Sequence, residues 1–147
     1  MANELKPLKL SDGTESKVVY FLCNGDSHPM KEFASECRDG RAVMKMAKAI
    51  ESVHEIGVEQ SRMLRRLKKL EGCNDNDLYE IVTKGCTARA YTFLIDGDLA
   101  IAIALILQKT HSGKGKKVVG AGIEKMQRKR PQLEEALRGR SKHGAEI

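Results

Sequence analysis

Apolar and polar positions along the chain follow two rhythms, one of period two and one of three to four residues. Lys17 to Cys23, KVVYFLC, is β-branched and aromatic and predicts a first strand, with turn chemistry following at Asn24-Gly25-Asp26. Pro29 suits the first turn of a helix, where its missing N–H costs nothing. Met30, Phe33, Ala34 and Cys37 would line one face of that helix, which should stop at Asp39-Gly40. A second helix is expected from about Arg41 to Ile56, striped by Val43, Met46, Ala47, Ile50 and Val53 and capped by Gly57. So short a link makes the pair an αα-hairpin.

Ser61 to Leu70, SRMLRRLKKL, is basic and reads as a short helix or an extended lead-in, and CNDND from Cys73 is a turn. Leu78 to Thr83, Ala88 to Ile95 and Leu99 to Gln108 read as three strands of an antiparallel meander. Asp96-Gly97 is the stronger of its two hairpin signals, because both residues tolerate positive φ. In the last strand Leu99, Ile101, Ile103, Leu105 and Leu107 alternate with Ala100, Ala102 and Ala104. The large face should pack on the helical hairpin. The alanine face leaves room for the C-terminal segment, a partner or a substrate groove.

Beyond Lys109, glycines at 113, 115, 120 and 122 weaken helix propensity, although Val119, Ile123 and Met126 keep helical spacing. Pro131 marks a break, Gln132 to Arg138 would add a short turn or helix, and 139–147 would fray. The expected organisation is a flexible segment over 1–16, one domain over 17–130 and a partly disordered extension over 131–147. The expected class is α+β: an antiparallel sheet against an N-terminal helical hairpin, with a basic C-terminal helical segment.

Charge changes this picture from fold to partner. The chain has 147 residues and a formal net charge of +6. From Lys109 to Arg130 stand Lys109, Lys114, Lys116, Lys117, Lys125, Arg128, Lys129 and Arg130 against the single acid Glu124, so the remainder is close to neutral. Such a concentration points to a polyanion or an acidic partner. The segment has no aromatic residue, which favours phosphate contact over base stacking. No segment reaches the roughly 18 apolar residues that span a bilayer, and the start lacks the pattern of a signal peptide. Cys23, Cys37, Cys73 and Cys86 include no C-x-x-C pair, so neither a zinc cluster nor a disulfide framework is expected. The expectation is a cytoplasmic protein with reduced thiols, no metal and no cofactor.

The order of strand, two helices, meander and basic segment is informative by itself, and the residues sharpen it into a resemblance. KVVYFLCNGDSHPMKEF resembles the opening of the phage-associated, HigB-like branch of the RelE/ParE toxin superfamily. RRLKKLEG with Leu78-Tyr79-Glu80-Ile81, Ala88-Arg89-Ala90-Tyr91 and Gln108-Lys109-Thr110-His111 resemble that family's basic-leucine stretch, two of its strands and its closing lysine-threonine segment. The resemblance covers roughly 17–130. It departs at Val82, where relatives often carry arginine, at Gln108, where they often carry lysine, and at Ile106, where phenylalanine is common. It also departs around Gly113 to Gly115, where the usual proline is missing. What it implies is a RelE-like sheet with helices on one side and a basic concave face for RNA on the other. The implied activity is a metal-independent mRNA endonuclease, acting on free or ribosome-bound mRNA and neutralised by a cognate antitoxin, often a small helix-turn-helix protein. The ParE-like branch instead inhibits gyrase.

Metal-free RNA cleavage uses the neighbouring 2′-OH as nucleophile and needs a proton acceptor, cations on the crowded phosphate and an acid for the leaving 5′-oxygen. Arg89, with its planar fork, is the candidate for phosphate stabilisation. Lys109 would clamp phosphate or donate a proton, and His111 titrates near neutrality and suits acid or base duty. Arg65, Arg66, Lys68, Lys69, Lys84, Lys114, Lys116 and Lys117 are candidates for RNA backbone contact, and Tyr91, on the same strand face as Arg89, for stacking on a base. Two rivals remain: a non-catalytic RelE/ParE-like inhibitor of a host machine such as gyrase, and a phage-derived nucleic-acid-binding module.

Overall fold

The computed structural model describes residues 2–85, 87–108 and 115–145, with side chains over 2–85, 87–108 and 122–140. Six strands form one mixed sheet: β1 (Asn3–Lys9), β2 (Glu15–Asn24), β3 (Leu67–Lys69), β4 (Leu78–Val82), β5 (Ala88–Ile95) and β6 (Ala100–Gln108). Three helices accompany it, α1 (Pro29–Glu36), α2 (Gly40–Met63) and α3 (Gly115–Ala145). The strand order is β1-β2-β6-β5-β4-β3. β4, β5 and β6 are the expected antiparallel meander, while β2 runs parallel to β6, with Val19 opposite Ile101. The α+β class stands, but the sheet is not wholly antiparallel.

Pro29 opens α1 as expected, and the His28 side chain caps it by accepting the Met30 N–H at 3.1 Å. Asp39 caps the start of α2 instead of ending α1, accepting the Arg41 N–H at 3.0 Å. Gly57 interrupts α2 with φ +85 rather than finishing it, and the helix resumes to Met63. Residues 3–9, expected as part of a flexible start, are a strand paired with β2.

Helices cover both faces of the sheet. On one side Phe33, Met46, Ile50 and Val53 from α1 and α2 bury Val19, Phe21, Ile81, Ala90, Ile101 and Ile103. On the other, Ile123, Met126, Leu133 and Ala136 of α3 bury Leu78, Tyr91, Phe93, Ala100, Ala102 and Ala104. The alanine face thus receives the C-terminal segment, whose backbone needs the space. The expected open concave face opposite the hairpin is occupied by α3.

The large face of β6 does not continue unbroken. Tyr91 pairs with Leu105 and Thr92 with Ile103, so one extra β6 residue bulges at Ala104 and reverses the alternation. Ile106 therefore joins the hairpin side while Leu105 and Leu107 pack on the α3 side, and Leu99 lies exposed before the strand. Helix α3 also runs through Pro131 without a break to Ala145. Contacts made by its side chains secure it: Arg130 donates to both Asp77 oxygens at 2.8 and 2.7 Å, Gln127 donates to Asp75, and Arg140 donates to Asp96 at 2.7 Å.

Candidate nucleic-acid interface

The cations chosen from sequence divide among three places. Arg65 and Arg66 form the turn that leaves α2, with Arg65 at φ +59. The turn is held from both sides, because the Arg66 N–H donates to Ser61 O and its carbonyl accepts from Val82, each at 2.9 Å. Across from it, Lys84 follows β4, and Lys45 of α2 donates to the Gly85 carbonyl at 2.8 Å. A groove results, lined by Lys45, Lys48, Arg65, Arg66 and Lys84, with no acidic side chain among the described residues that line it. Arg66 also donates to Ser52 Oγ on α2. Gly85 has φ +75, which favours glycine, and a Cβ there would stand 2.9 Å from the Lys45 ammonium, a flexible side-chain end that can shift aside.

Arg65 also borders a second groove with Arg62, Lys68, Lys69 and Glu71. Lys68 pairs in register with Glu80, and Lys69 reaches Asn76. The Arg62 guanidinium lies 4.9 Å from the Tyr79 ring centroid. Five of the sequence-chosen RNA contacts, Arg65, Arg66, Lys68, Lys69 and Lys84, therefore meet along the β3–β4 edge. Lys45 and Lys48 were missed. Their signal was present: three residues apart on α2, they oppose the stripe of Met46, Ile50 and Val53.

Arg89 stands elsewhere. It pairs with Val82 and Leu107, alternates with the buried Ala88 and Ala90, and so shares the α3 face with Tyr91. It is half-buried, and its Nη1 donates to the Ala88 carbonyl at 2.9 Å. Tyr91 is not available as a stacking platform in this conformation, because it is fully buried beneath α3 at Gly122. Burial, and then the facing Glu80 carboxylate, push its phenol up to about 12, against the opposing pull of Arg89. The Tyr91 hydroxyl and Glu80 Oε2 are buried without a hydrogen-bond partner among the described residues. Lys109, His111 and Lys114 lie outside the described residues, as do the side chains of Lys116 and Lys117.

The basic segment expected to meet a polyanion is partly committed internally. Arg130 forks onto Asp77, lies 3.6 Å from Asp75 and sits 5.1 Å from the centroid of the Phe93 ring. Its guanidinium, hydrogen-bonded to Asp77, holds that carboxyl below its usual range despite the opposing effect of burial. A depressed acid pKa contributes stability above the unfolded value of 3.8, and this is lost as pH falls through the folded value. Arg130→Ala is therefore expected to cost about 1.5–3 kcal/mol near neutral pH. Its deficit should shrink in acid, measured by thermal melts of parent and variant across pH. A deficit that stays constant down to about pH 2 would contradict the clamp.

Among the described residues no group of three or more His, Cys, Asp or Glu side chains could hold a metal ion. No helix searched among them is long and apolar enough to cross a membrane. What the edge offers chemically is a row of exposed cations for phosphate groups. Compared with family models, curated proteins and solved structures, the chain finds no match in any of the three.

Proposed function

We propose that the chain is the toxin of a type II toxin–antitoxin module, with a RelE/HigB-like core, and that it cuts mRNA in the cytoplasm without a metal ion. Its partners are mRNA, free or on the ribosome, and a cognate helix-turn-helix antitoxin. Arg65, Arg66, Lys68, Lys69 and Lys84 hold the RNA backbone. At the scissile linkage the 2′-oxygen bonds to phosphorus and the bond to the 5′-oxygen breaks. Neutral His111 takes the 2′-proton, the Lys109 ammonium protonates the 5′-oxygen, and Arg89 stabilises the crowded phosphate. The observation that carries this reading is the acid-free groove gathering Arg65, Arg66 and Lys84 with two further lysines.

A second reading, a non-cleaving inhibitor or nucleic-acid binder, is favoured by one feature: α3 lies across the sheet face that Arg89 shares. Mapping transcripts after induction in cells separates the two. New 5′ ends in mRNA are expected. Growth arrest with an unchanged transcript map would replace the nuclease by the inhibitor.

A further inference from the structure

The groove of Lys45, Lys48, Arg65, Arg66 and Lys84 opens on the α2 side of the sheet's edge, whereas Arg89 belongs to the α3 face. We propose that this groove is a docking site for the sugar-phosphate backbone of helical RNA, separate from the place where a strand would be cut. It rests on the reading that the chain acts on RNA, but not on cleavage.

Charge is the first ground. All five cations are exposed, and among the described residues none lies in an ion pair, in contrast to Arg130 and Arg140 on the opposite side. Lys45 and Arg66 are anchored instead by neutral acceptors, the Gly85 carbonyl and Ser52 Oγ. Their positive charge therefore remains uncompensated while their positions are fixed. Like charges held together in this way repel, and a chain of phosphates removes that repulsion while releasing its own counterions.

Shape chemistry is the second ground, and it selects helical RNA. No aromatic side chain lines the groove among the described residues, so splayed bases of a single strand find nothing there to stack on. A helix with its bases stacked inside presents phosphates and 2′-hydroxyls, which is what guanidinium forks and ammonium groups can grip. The turn carrying Arg65 and Arg66 is tied by its backbone to both α2 and β4, so little backbone ordering is left for the moment of binding.

The test is fluorescence anisotropy on the full chain with a labelled RNA duplex of about 16 base pairs. A single strand of the same sequence and phosphatidylserine–phosphatidylcholine vesicles serve as alternative ligands. Lys48→Glu/Lys84→Glu is compared with Lys125→Glu/Arg128→Glu, which changes net charge equally but on α3. The parent should prefer the duplex. The groove pair should lose at least about tenfold in duplex affinity and show a shallower salt slope, while the α3 pair stays within about twofold. Loss in the α3 pair with retention in the groove pair would overturn the groove as the site and leave RNA action standing. Preference for the single strand would overturn the helical ligand. Binding to vesicles without binding to either RNA would overturn both this proposal and the RNA reading beneath it.

Discussion

Induction of an Arg89→Ala variant is expected to leave growth unarrested, with mRNA cleavage reduced by about 10²–10³-fold. The side chain is half-buried on β5, opposite Leu107 and two residues upstream of the buried Tyr91, so its position is set by the sheet rather than by a loop. The pairing fixes its backbone and Nη1 donates to the Ala88 carbonyl at 2.9 Å, so less of the side chain is left to order when its planar fork meets a phosphate. Arg89→Lys keeps the charge and loses the fork, so intermediate arrest is expected. Circular dichroism and a cooperative melt establish that each variant folds. A folded Arg89→Ala variant that arrests growth as the parent does would remove Arg89 from the chemistry.

Two glycines of α3 should respond oppositely to the same substitution. In a helix interior, Gly→Ala ordinarily stabilises by about 0.5–1 kcal/mol. Gly139 is exposed, and a Cβ there would meet nothing within 4 Å, so Gly139→Ala should raise the melting temperature. At Gly122 a Cβ would stand 2.8 Å from Tyr91 Cζ and 3.0 Å from Cε1. Tyr91 is wholly buried among Phe93, Met126 and its strand neighbours, so a shift of its ring must disturb the packing under α3. Overpacking of this kind costs about 1–3 kcal/mol, more than the propensity gain. Gly122→Ala should therefore melt lower than the parent. If both variants melt higher, α3 does not seat on Tyr91, and the sheet face bearing Arg89 is open.

Much of the central architecture was legible because local signals and tertiary packing agree there. Pro29 starts α1, Asp96-Gly97 turns the hairpin with φ of +54 and +64, and the alanine face of β6 does receive a closely packed neighbour. The parts that were not legible depend on distant partners. NELKPLK has no apolar run and a proline, and becomes a strand only because β2 offers it an edge. The bulge at Ala104 leaves no mark in an unbroken Ile-Ala-Leu alternation, since it arises from the pairing of β5 with β6.

Helix α3 is the sharpest case. Its glycines and Pro131 argue locally against a continuous helix, and Asp75, Asp77 and Asp96, contributed by two separate loops, hold it in place. The same contacts remove Arg130 and Arg140 from the cations free to meet RNA. The candidate site was legible as a set of residue types, but not as a place. Arg65, Arg66 and Lys84 are joined by Lys45 and Lys48 only through the packing of α2 on the sheet, and Tyr91 is withdrawn by the helix above it.

The chemistry of the RNA ends made on induction tests the proposed function most directly. Attack by the 2′-hydroxyl, with no metal-bound water, should leave 5′-hydroxyl ends and 2′,3′-cyclic phosphates in mRNA, readable by ligation that accepts only a 5′-hydroxyl. New ends carrying 5′-phosphate, or growth arrest with no new ends, would contradict it.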